Sequence, residues 1–191
     1  MQTLFTQKFD QFVHSYIDQS TQDNRGLITL YDDDWKSPCI EAKVDNLLVN
    51  ESEVDWIPTL RSPNASFQNI ADALDMTIPE ELSILLGRYF SLDLNAQTER
   101  GKLTLLQAWN AHDFERLQKN LIAHVLMKRK LKQQDTLFFA LTDEEDYIIS
   151  LVPSSGEVVL ELVGKPPQEV LAHTLGDFLD EWVPLPTFVT L

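Results

Sequence analysis

The fold is decided by KLTLLQAW at residues 102–109, the polar break NAH at 110–112, DFERLQKNLIAHVLMKRKLK at 113–132 and the apolar run TLFFAL at 136–141. Two strand-like segments bracket a long helical pattern, and a connection of that length lets the second strand return to the first, parallel to it or merely adjacent in the same sheet. The unit is therefore expected to be strand, helix, strand. Within the helix Phe114, Leu117, Leu121 and Val125 recur at steps of three and four, with Ile122 and Leu126 widening the stripe, so one broad face is expected to lie buried on the sheet. Asp113 stands at the start, where orphan amide hydrogens favour an anion, and Lys128, Arg129, Lys130 and Lys132 crowd the carbonyl end.

The same residues carry a resemblance. KLTLLQAW, DFERLQKNLIAH at 113–124, KLK at 130–132 and TLFFAL resemble the central block of the Syd family, and SPCI at 37–40, Trp56 with Pro58 and SGEV at 155–158 follow its order. The likeness spans roughly residues 35–182. IPEEL at 78–82 is similar to the SUKH superfamily, which includes Syd. The resemblance implies one α+β domain over residues 1–191, with helices packed on a mainly antiparallel or mixed central sheet. It also implies a non-catalytic protein that interacts with SecY, the translocase subunit, from the cytoplasmic side of the inner membrane, as a regulator or quality-control factor of translocation. Neither composition nor periodicity names that partner.

Working outward, the formal net charge is −15, from 30 acidic and 15 basic residues. The basic residues concentrate in 102–134, and both flanks are acidic. Such a balance repels phosphate backbones and favours a cationic partner by long-range attraction, although a merely solubilising surface would look the same. KRKLK at 128–132 lacks interleaved aromatic residues, so matching of charge to the helix end explains it better than nucleic-acid binding. The lone Cys39 leaves no internal disulfide and reads as a small buried hydrophobe. MQTLFTQKFDQF at 1–12 has no signal-peptide pattern, and no uncharged run approaches the ~18 residues of a spanning helix. A soluble cytosolic monomer is expected, reaching the membrane only through its partner.

Residues 3–19 have a helical pattern with Leu4, Phe5, Phe9, Phe12, Val13, Tyr16 and Ile17 on one side. LITLY at 27–31 leads into three aspartates, and CIEAKV at 39–44, NLLV at 46–49 and ESEVDW at 51–56 suggest a meander. Asp32, Asp33 and Asp34 lack the alternating oxygen ligands, glycine and distal glutamate of a calcium loop, so they are expected to be a solvated turn or a partner contact. Ser66 suits the cap of a helix through Leu74, and Pro79, Glu80 and Glu81 open another. A tight acidic turn at 143–146 leads into a hairpin of YIISLV and VVLELV. Pro166 and Pro167 are expected to begin a last helix carrying Leu171, Leu175, Phe178 and Trp182.

The chain has no GxxxxGK[ST], GxSxG, HExxH or CxxC, and its four histidines show no metal-ligand spacing; neither cofactor nor metal is expected. The binding surface suggested by the resemblance is an acidic, concave face for basic SecY loops. Glu157 and Glu161, four apart on one strand, project from one face, and Asp143, Glu144 and Glu145 form the nearby turn, with Glu51, Glu53 and Asp55 as further contributors from the meander. Two other readings compete: a SUKH-type immunity protein that neutralises a cationic toxin, and a hydrolase that pairs Cys39 with His124.

Overall fold

The structure is a computed structural model describing residues 3–22, 26–40, 48–63 and 65–186. Apolar residues at helical spacing produce α1 (Leu4–Gln22), which buries Phe5, Phe9, Phe12, Val13 and Tyr16 and leaves Leu4 in solvent. Two short antiparallel pairs follow, β1 (Ile28–Leu30) with β2 (Glu53–Asp55) and β3 (Thr59–Leu60) with β4 (Tyr89–Phe90). Between β3 and β4 lie α2 (Gln68–Leu74) and α3 (Glu80–Gly87). Ser66 is not the cap of α2 as expected: the cap position is Phe67, which makes no side-chain cap bond, and Ser66 Oγ accepts the Gln68 N–H at 3.2 Å from one residue earlier; Pro79 precedes two glutamates in the first turn of α3, as the sequence signals indicate. Most of CIEAKV and NLLV falls on residues 41–47, outside the described residues; Ile40 bridges to Trp56.

The central sheet comprises β5 (Leu94–Thr98), β6 (Gly101–Leu105), β7 (Leu137–Thr142), β8 (Tyr147–Leu151), β9 (Val158–Leu162), β10 (Pro167–Ala172) and β11 (Val183–Pro184). Their order is β10-β9-β8-β7-β6-β5-β11, and every pairing is antiparallel. The chain is thus a single α+β domain. Helix α4 (Ala111–Lys130) connects β6 to β7, which are neighbours but antiparallel, with Leu103 opposite Thr142 and Leu105 opposite Ala140.

Successive residues of β7 point to opposite faces. Phe138 meets His124 of α4 at 5.3 Å, whereas Phe139 meets Phe178 of α5 (Leu175–Leu179) at 6.3 Å. Trp182 continues the second layer, 5.7 Å from Phe178 and 5.4 Å from Phe12 of α1. On α4 the buried stripe is Phe114, Leu117, Leu121 and Val125, but it continues to Lys128 rather than widening to Leu126, which is 51% exposed. Lys128 lies three residues beyond Val125, on the stripe's own line; Leu126 is turned away by one residue's rotation.

The helix expected from Pro166 is a correction. Pro167 opens β10 instead, and α5 is a short helix capped by Thr174, whose hydroxyl accepts the Asp177 N–H at 3.0 Å. Proline is tolerated at the first residue of an outer strand for the same reason as in a first helical turn, because no partner needs its missing N–H.

Asn110 caps α4: its Oδ1 accepts the Asp113 N–H at 2.9 Å while its Nδ2 donates to Lys36 O at 2.9 Å. Asn110→Ala is expected to cost about 1 kcal/mol, seen as a lower urea midpoint with unchanged slope; an unaltered midpoint would show the cap contributes nothing.

Candidate functional site

One end of the sheet carries a groove of about 580 Å³ built by two tight connections. In the β5–β6 turn Gly101 has φ +149, which favours glycine, and Thr98 Oγ1 accepts the Arg100 N–H while donating to Gly101 O. In the β7–β8 turn Thr142 Oγ1 donates to Glu144 O at 3.0 Å, and Asp146 takes φ +68 to complete the reversal. These turns place Arg100 and Lys102 on one side of the groove, with Asp143 and Glu144 close by. Leu103, Leu160, Leu171 and Phe178 supply its apolar lining. Arg100 pairs with Glu169 of β10, but both side chains are about half exposed, so the pair contributes little to stability. Asp143, Glu144, Glu145 and Asp146 are exposed and form no ion pair among the described residues. An apolar lining beside unpaired carboxylates suits a ligand with both apolar and cationic groups.

The eight acids singled out from sequence do not form one surface. Asp143 and Glu144 line the groove and Glu145 adjoins them. Glu53 and Asp55 are exposed on β2, and the same chain segment supplies Trp56, whose ring meets Trp109 at 5.6 Å, beyond the far end of β6 from Asp143. Glu51, also exposed, lies just before β2. Glu157 is half-buried at the β8–β9 hairpin, the other end of β8 from the acidic turn, where Ser155 donates to it at 2.8 Å.

Glu161 is a correction: it is 0% exposed. It faces α4 and is buried together with Lys128, which is also 0% exposed and pairs with Glu161 Oε2. Thr136 and Ser150 each donate to Glu161 Oε1 at 2.7 Å, and His124 Nε2 lies 3.4 Å away. Burial would push this carboxyl up; the contacts with His124, Lys128, Ser150 and Thr136 outweigh it and hold the pKa down at about 2. The pair therefore fastens α4 to β9 and offers nothing to a partner at the surface.

Cys39 and His124 are not brought together. Cys39 is buried beside Ser37 and Thr59, and burial pushes its thiol up, whereas His124 contacts Thr136, Glu161 and Phe138. No group of three potential metal ligands occurs among the described residues, and no described helix is long and apolar enough to cross a membrane. Sequence reasoning missed Arg100, Lys102, Glu169 and Phe178 as groove residues, because β10 stands far from β5 and β6 in the strand order and meets them only in the folded sheet, where Arg100 reaches Glu169; no local pattern announces it.

Comparison with known proteins gives consistent results. The family described as Syd protein (SUKH-2) matches residues 6–184. A protein named Protein Syd from Alteromonas mediterranea is 42% identical over 180 residues, covering 93% of this chain and 95% of its own. One of the same name from Pseudoalteromonas atlantica is 43% identical over 157 residues, covering 82% and 83%. Another from Psychromonas ingrahamii is 34% identical over 183 residues, covering 96% and 97%.

Proposed function

Because this chain belongs to the Syd family, we propose that it is a binding protein for the SecY subunit of the translocase, acting by association and not by catalysis. The groove between the β5–β6 and β7–β8 turns receives basic cytosolic loops of SecY, with Asp143, Glu144 and Glu145 supplying the attraction. The observation that carries this reading is the acidic turn, which makes no ion pair among the described residues, beside an apolar-lined groove in a chain of net charge −15. The protein acts from the cytoplasm and is peripheral to the inner membrane through SecY alone, as a regulator or quality-control factor of translocation.

Near physiological ionic strength the screening length is about 8 Å, so individual exposed charges contribute little and several must act together. Asp143→Lys with Glu144→Lys adds repulsion as well as removing attraction. Association of this double variant with SecY complex in nanodiscs is expected to be slower by roughly tenfold or more, and association of the parent protein should weaken with added salt. Equal rates for the two proteins, or a parent rate indifferent to salt, would refute docking at this groove.

A further inference from the structure

One side chain crosses the docking groove. Strands β6 and β10 are four steps apart in the strand order, about 19 Å on a flat sheet, which is farther than one arginine and one glutamate reach between them. Arg100, in the β5–β6 turn, nevertheless pairs through its Nη1 with Glu169 Oε1 of β10. The sheet is therefore curled, and the turn and the outer strand face each other over the groove.

The pair also stands between two hollows. Thr98, Arg100 and Leu171 line the groove of about 580 Å³ and equally a second hollow of about 710 Å³, whose other walls include Glu99, Asp180, Glu181 and Val183. Asp180 is held by Lys8 at 2.6 Å, but Glu99 and Glu181 make no ion pair among the described residues. The hydrogen bond to Glu169 and the charge of Glu181 both push the Arg100 pKa up, so acids on both sides hold the guanidinium where it is. With Arg100 in place the carboxylates are split into two groups, and Glu169 is occupied.

The hold is weak, although the backbone beneath it is firm. Both side chains are about half exposed, at 52% and 48%, so water competes for the pair. The turn that carries Arg100 is braced by Thr98, whose Oγ1 accepts the Arg100 N–H at 3.2 Å and donates to Gly101 O at 3.1 Å. Rotation of an exposed side chain, a fast motion that shifts no strand, is enough to release Glu169.

We propose that the Arg100–Glu169 pair is a strap, an autoinhibitory contact that keeps the groove apart from the hollow beside it in the free protein and must open before a partner can seat. Once Arg100 turns to solvent, the two hollows form one trough and Glu169 joins Asp143 and Glu144. The inference rests on the docking reading above and adds to it an internal competitor. Such an equilibrium lowers the apparent affinity to the fraction of molecules that stand open, and an exposed ion pair leaves about a half to a sixth of them open.

Arg100→Gln is expected to tighten binding to SecY complex in nanodiscs by about two- to sixfold. Lys102→Gln removes the same charge from the same groove without releasing Glu169, and should tighten binding by less than about twofold. The opposite arm of the test locks the strap. In a chain carrying Arg100→Cys and Glu169→Cys a bis-maleimide joins the turn to β10, while Cys39 is buried and out of the reagent's reach. The joined chain should bind SecY at least about tenfold more weakly than the same variant with each thiol capped by N-ethylmaleimide. Equal gains from Arg100→Gln and Lys102→Gln, or equal binding by the joined and capped chains, would overturn the strap while the docking reading stands. Failure of the parent chain to bind SecY would remove the docking reading, and the strap with it.

Discussion

Lys128→Ala is expected to destabilise the protein by about 3–5 kcal/mol, because it leaves a buried carboxylate without its cation. Lys128 is 0% exposed; besides Glu161 its Nζ reaches Lys165 O at 3.0 Å. Removal would leave Glu161 with Thr136, Ser150 and His124 as polar neighbours, and two hydroxyl donors cannot offset the charge. In a domain of this size each kcal/mol moves the thermal midpoint by roughly 2–4 °C, so a fall of about 6–20 °C should be seen. Lys130→Ala, on the exposed end of the same helix, should change stability by no more than about 0.5 kcal/mol. Indistinguishable midpoints for the two variants would mean that the pair does not hold α4 to the sheet. The pH dependence has a definite sign. The folded pKa of Glu161, about 2, lies below the ordinary 4.5, so its stabilisation is complete above about pH 4.5 and is lost as the pH falls towards 2. Glu161→Gln should lack that part of the acid limb.

Leu121→Ala is expected to cost about 2–5 kcal/mol, against less than about 0.5 kcal/mol for Leu126→Ala. The two leucines are five residues apart on α4, but Leu121 is 1% exposed and packed in the core, whereas Leu126 is 51% exposed. Chemically identical truncations therefore report on helix rotation alone. Urea denaturation of both variants checks the assignment, and comparable losses for both would show that the buried face has been placed wrongly.

Much of the architecture was legible in the sequence because burial leaves a period. Phe114, Leu117, Leu121 and Val125 recur at helical spacing, and the acidic run before YIISLV marks a turn whichever way the sheet is assembled. What failed to show was any property fixed by a neighbour from a distant part of the chain. Lys128 at a helix end looks like a partner for the carbonyl dipole, and only β9 beneath it makes it a buried counterion. The period of two puts Glu157 and Glu161 on one side of their strand but does not reveal that α4 covers Glu161. Proline at 166–167 fits a helix start and an outer strand equally well. The acids of the candidate site were legible one by one; their separation to different ends of the sheet was not, since it depends on the direction of β6 and β8.

The terminal strands of the sheet have a further consequence, for self-association. Strand β10 begins with proline and its register against β9 shifts twice, between Pro167 and Glu169 and between Val170 and Ala172. At the other margin β11 is two residues long and ends in Pro184. Missing donors, irregular spacing and short length each deprive an incoming strand of an even ladder to zip onto. A second copy therefore gains little by extending the sheet sideways. Fibrillar growth is discouraged on both flanks, and recognition of other chains falls to side chains in the grooves instead of to exposed backbone.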